Sequence, residues 1–394
     1  MREAWGRLSR GRKIVLALIA GLVVVGSVSG LLTATLADSD EFVLGDIFHS
    51  IDTAYNTLPR ELQDGNKLGY DDAPVKLIQY EDFQCSICLT YTEHVEPWLV
   101  VEYVRAGLLQ IEFRHLPVVG QESVTAAVGA TCAAEQDRMF QYANRLFAKQ
   151  AFAERTEDGF RVDHGSFSEE GLIEVAERLE LDVEAFTACL QNPATLTAVA
   201  ADQRTARATG FRQPPGFVLN GTPVDLHPST IQGRRWGRPP ESVADSVDGW
   251  LSLIDGTIVE LAAGCPAEEF GYGGGGYLFQ DAIERLESYF ERADRYPSLL
   301  SDDEWRSDFR HALDDIRASA DALEAHYATW SPGEPARIHL AHAATLYRRS
   351  ARELKRWVFN PLVVTAQRTE GTASLAAGIE AFARADAYER KACE

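Results

Sequence analysis

The 394-residue sequence predicts an α/β domain interrupted by helices and followed by an all-helical domain. Short strand patterns at 75–80, 109–114 and 217–219 flank residues 121–208, whose apolar periodicity is helical almost throughout. Gly271-Tyr272-Gly273-Gly274-Gly275-Gly276 reads as a flexible linker. Beyond it the pattern is amphipathic helix. The formal charge of −21 and pI near 4.9 exclude a phosphate-backbone binder, which needs clustered Lys and Arg, so no nucleic-acid partner is expected.

Residues 1–13 carry Arg2, Arg7, Arg10, Arg12 and Lys13 against Glu3 alone, and residues 14–37 hold no charge. As a helix that uncharged run would reach about 36 Å, enough to cross a bilayer's hydrocarbon core. The basic flank would keep the N-terminus cytoplasmic. Residues 1–37 are therefore expected to form a cytoplasmic basic tail and a transmembrane signal anchor in the cell membrane. The alternative is a cleaved signal peptide ending at Thr35-Leu36-Ala37. Either reading makes the chain after Asp38 extracytoplasmic, where disulfides persist.

Residues 38–70 are expected to be a linker with a short helix at 47–58, and residues 71–263 an α/β domain. The strand at 75–80 leads through Asp82-Phe83-Gln84 into Cys85-Ser86-Ile87-Cys88. A helix then runs to about residue 106, and a strand at 109–114 ends before Leu116-Pro117. A C-x-x-C at a strand-to-helix junction is the first half of a thioredoxin-type β-α-β unit. A helical insertion, about 119–208, has helices at 126–150, 168–179 and 183–190, the second capped by Ser168. Asn220-Gly221 turns a hairpin between 217–219 and 224–226, and a helix at 241–261 closes the domain.

After a linker at 264–276, residues 277–394 are expected to be an antiparallel four-helix bundle. Ser301-Asp302-Asp303-Glu304 is a capping box opening a helix with Trp305, Phe309, Leu313, Ile316, Ala320, Leu323 and Tyr327 inward. Ser331-Pro332 opens the next, with Ile338, Ala341, Leu346, Leu354 and Trp357 inward. Helices at 278–295 and 373–390 flank them. His339 and His342 share one face and read as solvated surface.

Cysteines three apart on a first helical turn can bridge, so Cys85 and Cys88 can cycle between dithiol and disulfide. Cys85 faces free backbone N–H groups and the positive end of the helix dipole, which favour thiolate, while Cys88 is more shielded. A static disulfide is the plain alternative. Zinc lacks a second C-x-x-C, so no metal is expected. No G-x-S-x-G or H-E-x-x-H supports hydrolase chemistry. His115 reads either as a neighbour of the dithiol or as structural.

Over about residues 68–260 the chain resembles the DsbA-like thiol-disulfide oxidoreductases, bacterial extracytoplasmic enzymes with a thioredoxin fold and a helical insertion. The resemblance is carried by Leu68-Gly69 with Ala73-Pro74-Val75, by Asp82 through Cys88, by Arg114 to Pro117, by Cys132-Ala133-Ala134-Glu135-Gln136, and by Gly210 through Gly221. It implies that Pro215 is the cis-proline beside the dithiol, with Pro214 and Gln213 as substrate-binding neighbours. It also implies that Cys132 and Cys189 staple the insertion. Cys265 and Cys393 either tie the bundle to its linker or remain free thiols. Three departures are visible. Pro214 stands where the family offers a backbone N–H. Gln79 stands where thioredoxin-like proteins carry a buried carboxylate, and Glu81, on the same strand face, is the candidate proton relay in its place. Ser86-Ile87 lacks the histidine of strong oxidants, so a milder oxidant is expected.

The resemblance implies disulfide exchange, oxidation above all, in exported cysteine-containing proteins, without an external cofactor. A quinone-linked membrane protein would re-oxidise the dithiol. A reductase or isomerase is the alternative within the same chemistry. A non-catalytic thioredoxin-like scaffold with a partner-binding bundle is the alternative outside it.

Overall fold

The computed structural model describes residues 62–154, 161–224, 241–261, 277–359 and 366–389. The expected anchor at 1–37, the helix at 47–58, the glycine-rich linker, Cys265 and Cys393 lie outside them. Among the described residues no helix is long and apolar enough to cross a membrane.

Gln63–Asp64 (β1) and Lys67–Leu68 (β2) form a small hairpin on the edge of the sheet, so the expected linker already carries strand structure before residue 71. β3 (Val75–Glu81) buries every second side chain at its start and then all three at its end. It pairs in parallel with β4 (Leu109–His115), Val75 opposite Leu109 and Glu81 opposite His115. A parallel pair needs a crossover, supplied here by α1 (Ser86–His94), α2 (Glu96–Leu99) and one π turn, Val100–Val104. The sequence suggests one helix to residue 106. Pro97 has no N–H to continue it, and the helix breaks at Val95.

β5 (Gly216–Leu219) runs antiparallel to β3 on its other side, and β6 (Thr222–Val224) follows through the turn at Asn220-Gly221, both with positive φ. Among the described residues the strand order is β1-β2-β4-β3-β5-β6. On one face Tyr80, Val218 and Leu116 pack against Ala206 of α7 (Pro193–Thr209). The other face lies under α1 and α8 (Glu241–Leu261). There Tyr91, Phe217 and Trp250 meet with ring centroids 4.7 to 5.7 Å apart.

The insertion holds α3 (Gln121–Ala134), α4 (Met139–Glu154), α5 (Glu169–Arg178) and α6 (Val183–Leu190) before α7. The single helix expected at 126–150 is two, because the chain turns at Asp137, whose φ is +54°. Asp137 also accepts a hydrogen bond from Gly65 N in the β1–β2 turn at 2.9 Å. Ser168 caps α5 by accepting from Gly171 N at 3.2 Å. A disulfide joins Cys132 of α3 to Cys189 of α6.

The C-terminal helices are α9 (Tyr277–Arg295), α10 (Asp303–Tyr327), α11 (Pro335–Phe359) and α12 (Ala366–Glu389). Asp302, rather than Ser301, caps α10, accepting from Trp305 N at 2.7 Å, because Ser301 ends a short 3₁₀ turn. α11 opens at Pro335 rather than Pro332, a proline suiting the first helical position. α12 begins at Ala366 rather than 373. The expected stripe of α10 is buried from Trp305 to Tyr327, whereas Ile338 and Trp357 of α11 are only half-buried.

His339 and His342 are not on the surface: they are 1% and 2% exposed. α11 is buried on two sides, against its neighbours in the bundle and against the α/β domain. His342 Nε2 lies 2.9 Å from Asp255 Oδ1 on α8, and Arg349 Nη1 donates to Asp255 Oδ2 at 2.5 Å. Arg349 and Arg352 reach Glu102 in the π turn, and Thr345 donates to the Glu102 carbonyl at 2.9 Å. Periodicity reveals that histidines share a face but not that this face has a second partner.

Candidate active site

β3 ends at Glu81, and after three intervening residues Cys85 stands at the N-cap of α1 with extended backbone, φ −86° and ψ 116°. Its sulfur accepts the Cys88 backbone N–H at 3.2 Å. The Cys85 thiol in turn donates to the carbonyl of Pro214 at 3.6 Å. Cys85 is 7% exposed and Cys88 is fully buried, and both are thiols in this structure. Cys85 thus keeps a small exposure at the helix start, against the Pro214 carbonyl, while Cys88 has none. Burial, the hydrogen bond with Cys85, and the charges of Cys85 and Glu81 push the Cys88 thiol well above its ordinary value.

The Pro214–Pro215 peptide bond is cis. Pro214 has no N–H for a docking peptide, but its carbonyl faces the reactive sulfur. Both prolines are buried and Gln213 is exposed beside them. Gly216 follows because any Cβ there would lie 2.6 Å from the Phe211 ring, which packs against Tyr80.

Beneath α1 lies a buried polar cluster. Gln79 and Glu81, 0% and 1% exposed, point to the same face of β3. Thr92 donates to Glu81 Oε2 at 3.4 Å, while Glu81 Oε1 is buried without a partner. Gln79 donates its amide N–H to Glu96 Oε2 at 2.7 Å and accepts from the Tyr91 hydroxyl at 3.3 Å. Glu96 is itself only 3% exposed. Burial first, then the nearby charges of Glu96 and Cys85, raises the Glu81 carboxyl well above the usual carboxylate range.

The loop ahead of Cys85 is fixed from two sides. Asp82 accepts from the backbone N–H groups of Gln84, Val118 and Val119 at 2.8 to 2.9 Å. Gln84 exchanges hydrogen bonds with Asp163, accepting from its N–H at 2.7 Å and donating to its carboxylate at 3.0 Å, and also donates to Ser123 Oγ at 3.0 Å. Gly120 leaves room for that clamp, since a Cβ would lie 2.5 Å from both Asp163 Oδ1 and Gln84 Nε2.

The structure thus brings Cys85, Cys88, Glu81, Pro214 and Pro215 to one end of the sheet. His115 stands in register with Glu81, but its ring packs against Phe83 and Phe113 and meets Thr131 Oγ1 at 3.2 Å. Burial lowers that imidazole to about 3, so it is neutral. Cys132 and Cys189 are paired elsewhere in the insertion. Among the described residues no group of His, Cys, Asp and Glu is arranged to hold a metal ion. Sequence reasoning missed Glu96, Asp163 and the roles of Gln84 and of the Pro214 carbonyl. Glu96 falls inside the single helix expected to residue 106, and its burial depends on a strand 17 residues upstream.

Residues 62–234 match the family described as thioredoxin. The chain is 31% identical over 158 residues to the probable disulfide bond formation protein D of Bacillus anthracis, covering 39% of this chain and 69% of that protein. With the protein of the same description from Bacillus cereus it shares 29% identity over 161 residues, again 39% and 69% of the two chains. Among solved structures, oxidised BdbD from Bacillus subtilis aligns with a TM-score of 0.39 and 17% identity, over 50% of this chain and 94% of that one.

Proposed function

Since the chain belongs to the DsbA-like, thioredoxin-fold family of thiol-disulfide oxidoreductases, we propose that Cys85 and Cys88 are its redox pair and that it oxidises thiols of exported proteins. The observation that carries this reading is the position of Cys85. It sits at a helix N-cap, its sulfur held by the Cys88 N–H at 3.2 Å and facing the cis-proline loop, with Cys88 buried behind it.

In the oxidised enzyme, a substrate thiolate attacks Cys85 Sγ. A mixed disulfide forms, the Cys85–Cys88 bond breaks, and its electron pair leaves on Cys88, which takes a proton from Glu81. A second substrate thiolate then attacks the substrate sulfur of the mixed disulfide. The substrate departs with its own disulfide, and Cys85 leaves as a thiolate stabilised at the helix start. Two electrons have moved to the enzyme, so turnover requires an oxidant, for which a quinone-linked membrane protein fits the family. Pro215 and the exposed Gln213 would line the path of the substrate backbone, with Pro214 limiting that docking to one side. An N-terminal anchor would hold the enzyme at the outer face of the membrane beside its re-oxidant.

Cys85→Ser tests the assignment. Peptide oxidation and insulin reduction should both be lost while circular dichroism and the unfolding midpoint stay unchanged. Retained activity would overturn it.

A further inference from the structure

Gln79 and Glu96 are buried beside the dithiol, yet the exchange above uses neither. Gln79 and Glu81 stand two residues apart on β3, about 7 Å along one face of the strand. Thr92 and Glu96, four residues apart on the crossover, lie over that face: Thr92 contacts Glu81, and Glu96 contacts Gln79. Two buried carboxyl groups therefore occupy one buried layer, roofed by Tyr91 and Thr92.

Their hydrogen-bond donors are unequal. Glu96 accepts a short amide bond of 2.7 Å from Gln79, whose orientation is fixed by the Tyr91 hydroxyl at its other end. Glu81 has only the Thr92 hydroxyl at 3.4 Å, and its second oxygen has no partner. A donated N–H favours the ionised form of its acceptor, whereas a bare buried oxygen disfavours charge. Two like charges in one such layer also oppose each other. We propose that Glu96 is the ionised member of this pair and acts as a positioning residue that keeps the exchangeable proton on Glu81, ready for Cys88.

The other groups facing Glu81 are consistent with this assignment. Cys85 and Cys88 stand at the start of α1, Tyr91 and Thr92 follow on the same helix, and His115 on β4 is neutral. Asp82 turns away to the backbone of Val118 and Val119. The inference rests on the proposed exchange. When the Cys85–Cys88 bond breaks, the proton passes from Glu81 to the Cys88 sulfur. When Cys88 attacks a mixed disulfide, the proton returns to Glu81, and the electron pair leaves on the displaced thiolate. The charge on Glu96 makes a Glu81 carboxylate costly and so favours that return.

The test uses the full chain, loaded as the mixed disulfide of Cys85 with glutathione, and follows glutathione release by Cys88 from pH 4 to 9. The rate should fall on an acid limb set by Glu81. Glu96→Gln keeps the shape and the bond to Gln79 but removes the charge. It should move that limb down by about one pH unit, about a tenfold faster release at a pH on the limb. Gln79→Met withdraws the donor from Glu96 and should move the limb in the same direction. In a Glu81→Gln background, Glu96→Gln should change nothing. A limb that stays in place in both single variants while release proceeds would overturn the proposal, as would a shift that persists without Glu81. If the wild type releases no glutathione at any pH, the redox assignment of Cys85 and Cys88 fails as well. Carbon-13 titration of the Glu81 carboxyl reads the same shift without turnover, so a variant with slowed release still decides the matter.

Discussion

Replacing Asp255 by Asn should loosen the docking of α11 on the α/β domain, with a pH dependence whose direction is fixed by the surroundings. Burial alone would raise the Asp255 carboxyl. The hydrogen bond with His342 and the charges of Arg349 and His342 outweigh it and hold the carboxyl down to about 2, against an ordinary 3.8. That difference corresponds to about 2 kcal/mol of folding stability. Because the folded value is the lower one, this stability is fully present above about pH 4 to 5. It declines as the pH falls through the folded value and is about half gone at pH 3. The substitution would also leave the buried Arg349 without its closest anion. Glu102 Oε2, 3.4 Å away, remains as a partial substitute, so the cost at neutral pH should be about 3 kcal/mol, the low end for a broken buried pair. Urea unfolding of both proteins at pH 7 and pH 3 measures it. The wild type should exceed Asp255→Asn by about 3 kcal/mol at pH 7 and by about 1 kcal/mol less at pH 3. An equal difference at both pH values would refute the reasoning.

Cys132→Ser should cost about 4 kcal/mol in non-reducing urea unfolding, since the bridge closes a loop of 57 residues. Trp250→Ala removes the buried ring between Tyr91 and Phe217 and should cost about 3 to 5 kcal/mol in the same assay, because it opens a cavity between α8 and the sheet. Gly120→Ala should break the clamp between Gln84 and Asp163, where no room exists for a Cβ. It should cost about 1 to 3 kcal/mol and expose the segment at 161–167 to limited proteolysis.

The strands were legible because the apolar alternation of β3 and the Asn220-Gly221 turn are local signals, and α8 appears with the bounds its periodicity suggests. The position of the dithiol at a helix start was legible for the same reason: a C-x-x-C directly after a strand leaves few local conformations. Breaks that depend on a single backbone position were not. Asp137 turns the chain between α3 and α4 without Gly or Pro to announce it. Nor could spacing reveal burial imposed by a distant element. His342 looked like a surface residue until Asp255 of α8 supplied its partner. Glu96 lay unremarked inside the one helix expected to residue 106, and only the fold brings Gln79 of β3 to its carboxylate. Glu81 could be named from strand parity, because alternation along β3 fixes which side chains share a face with position 79.

The most direct test of the redox assignment is the equilibrium of Cys85 and Cys88 in graded glutathione buffers, read by alkylation of free thiols and peptide mass spectrometry. An oxidase suited to an oxidising compartment should give a midpoint between about −120 and −200 mV. A midpoint near about −270 mV would contradict the oxidising direction. A pair that never titrates would contradict a redox role for these cysteines altogether and leave the domain as a scaffold.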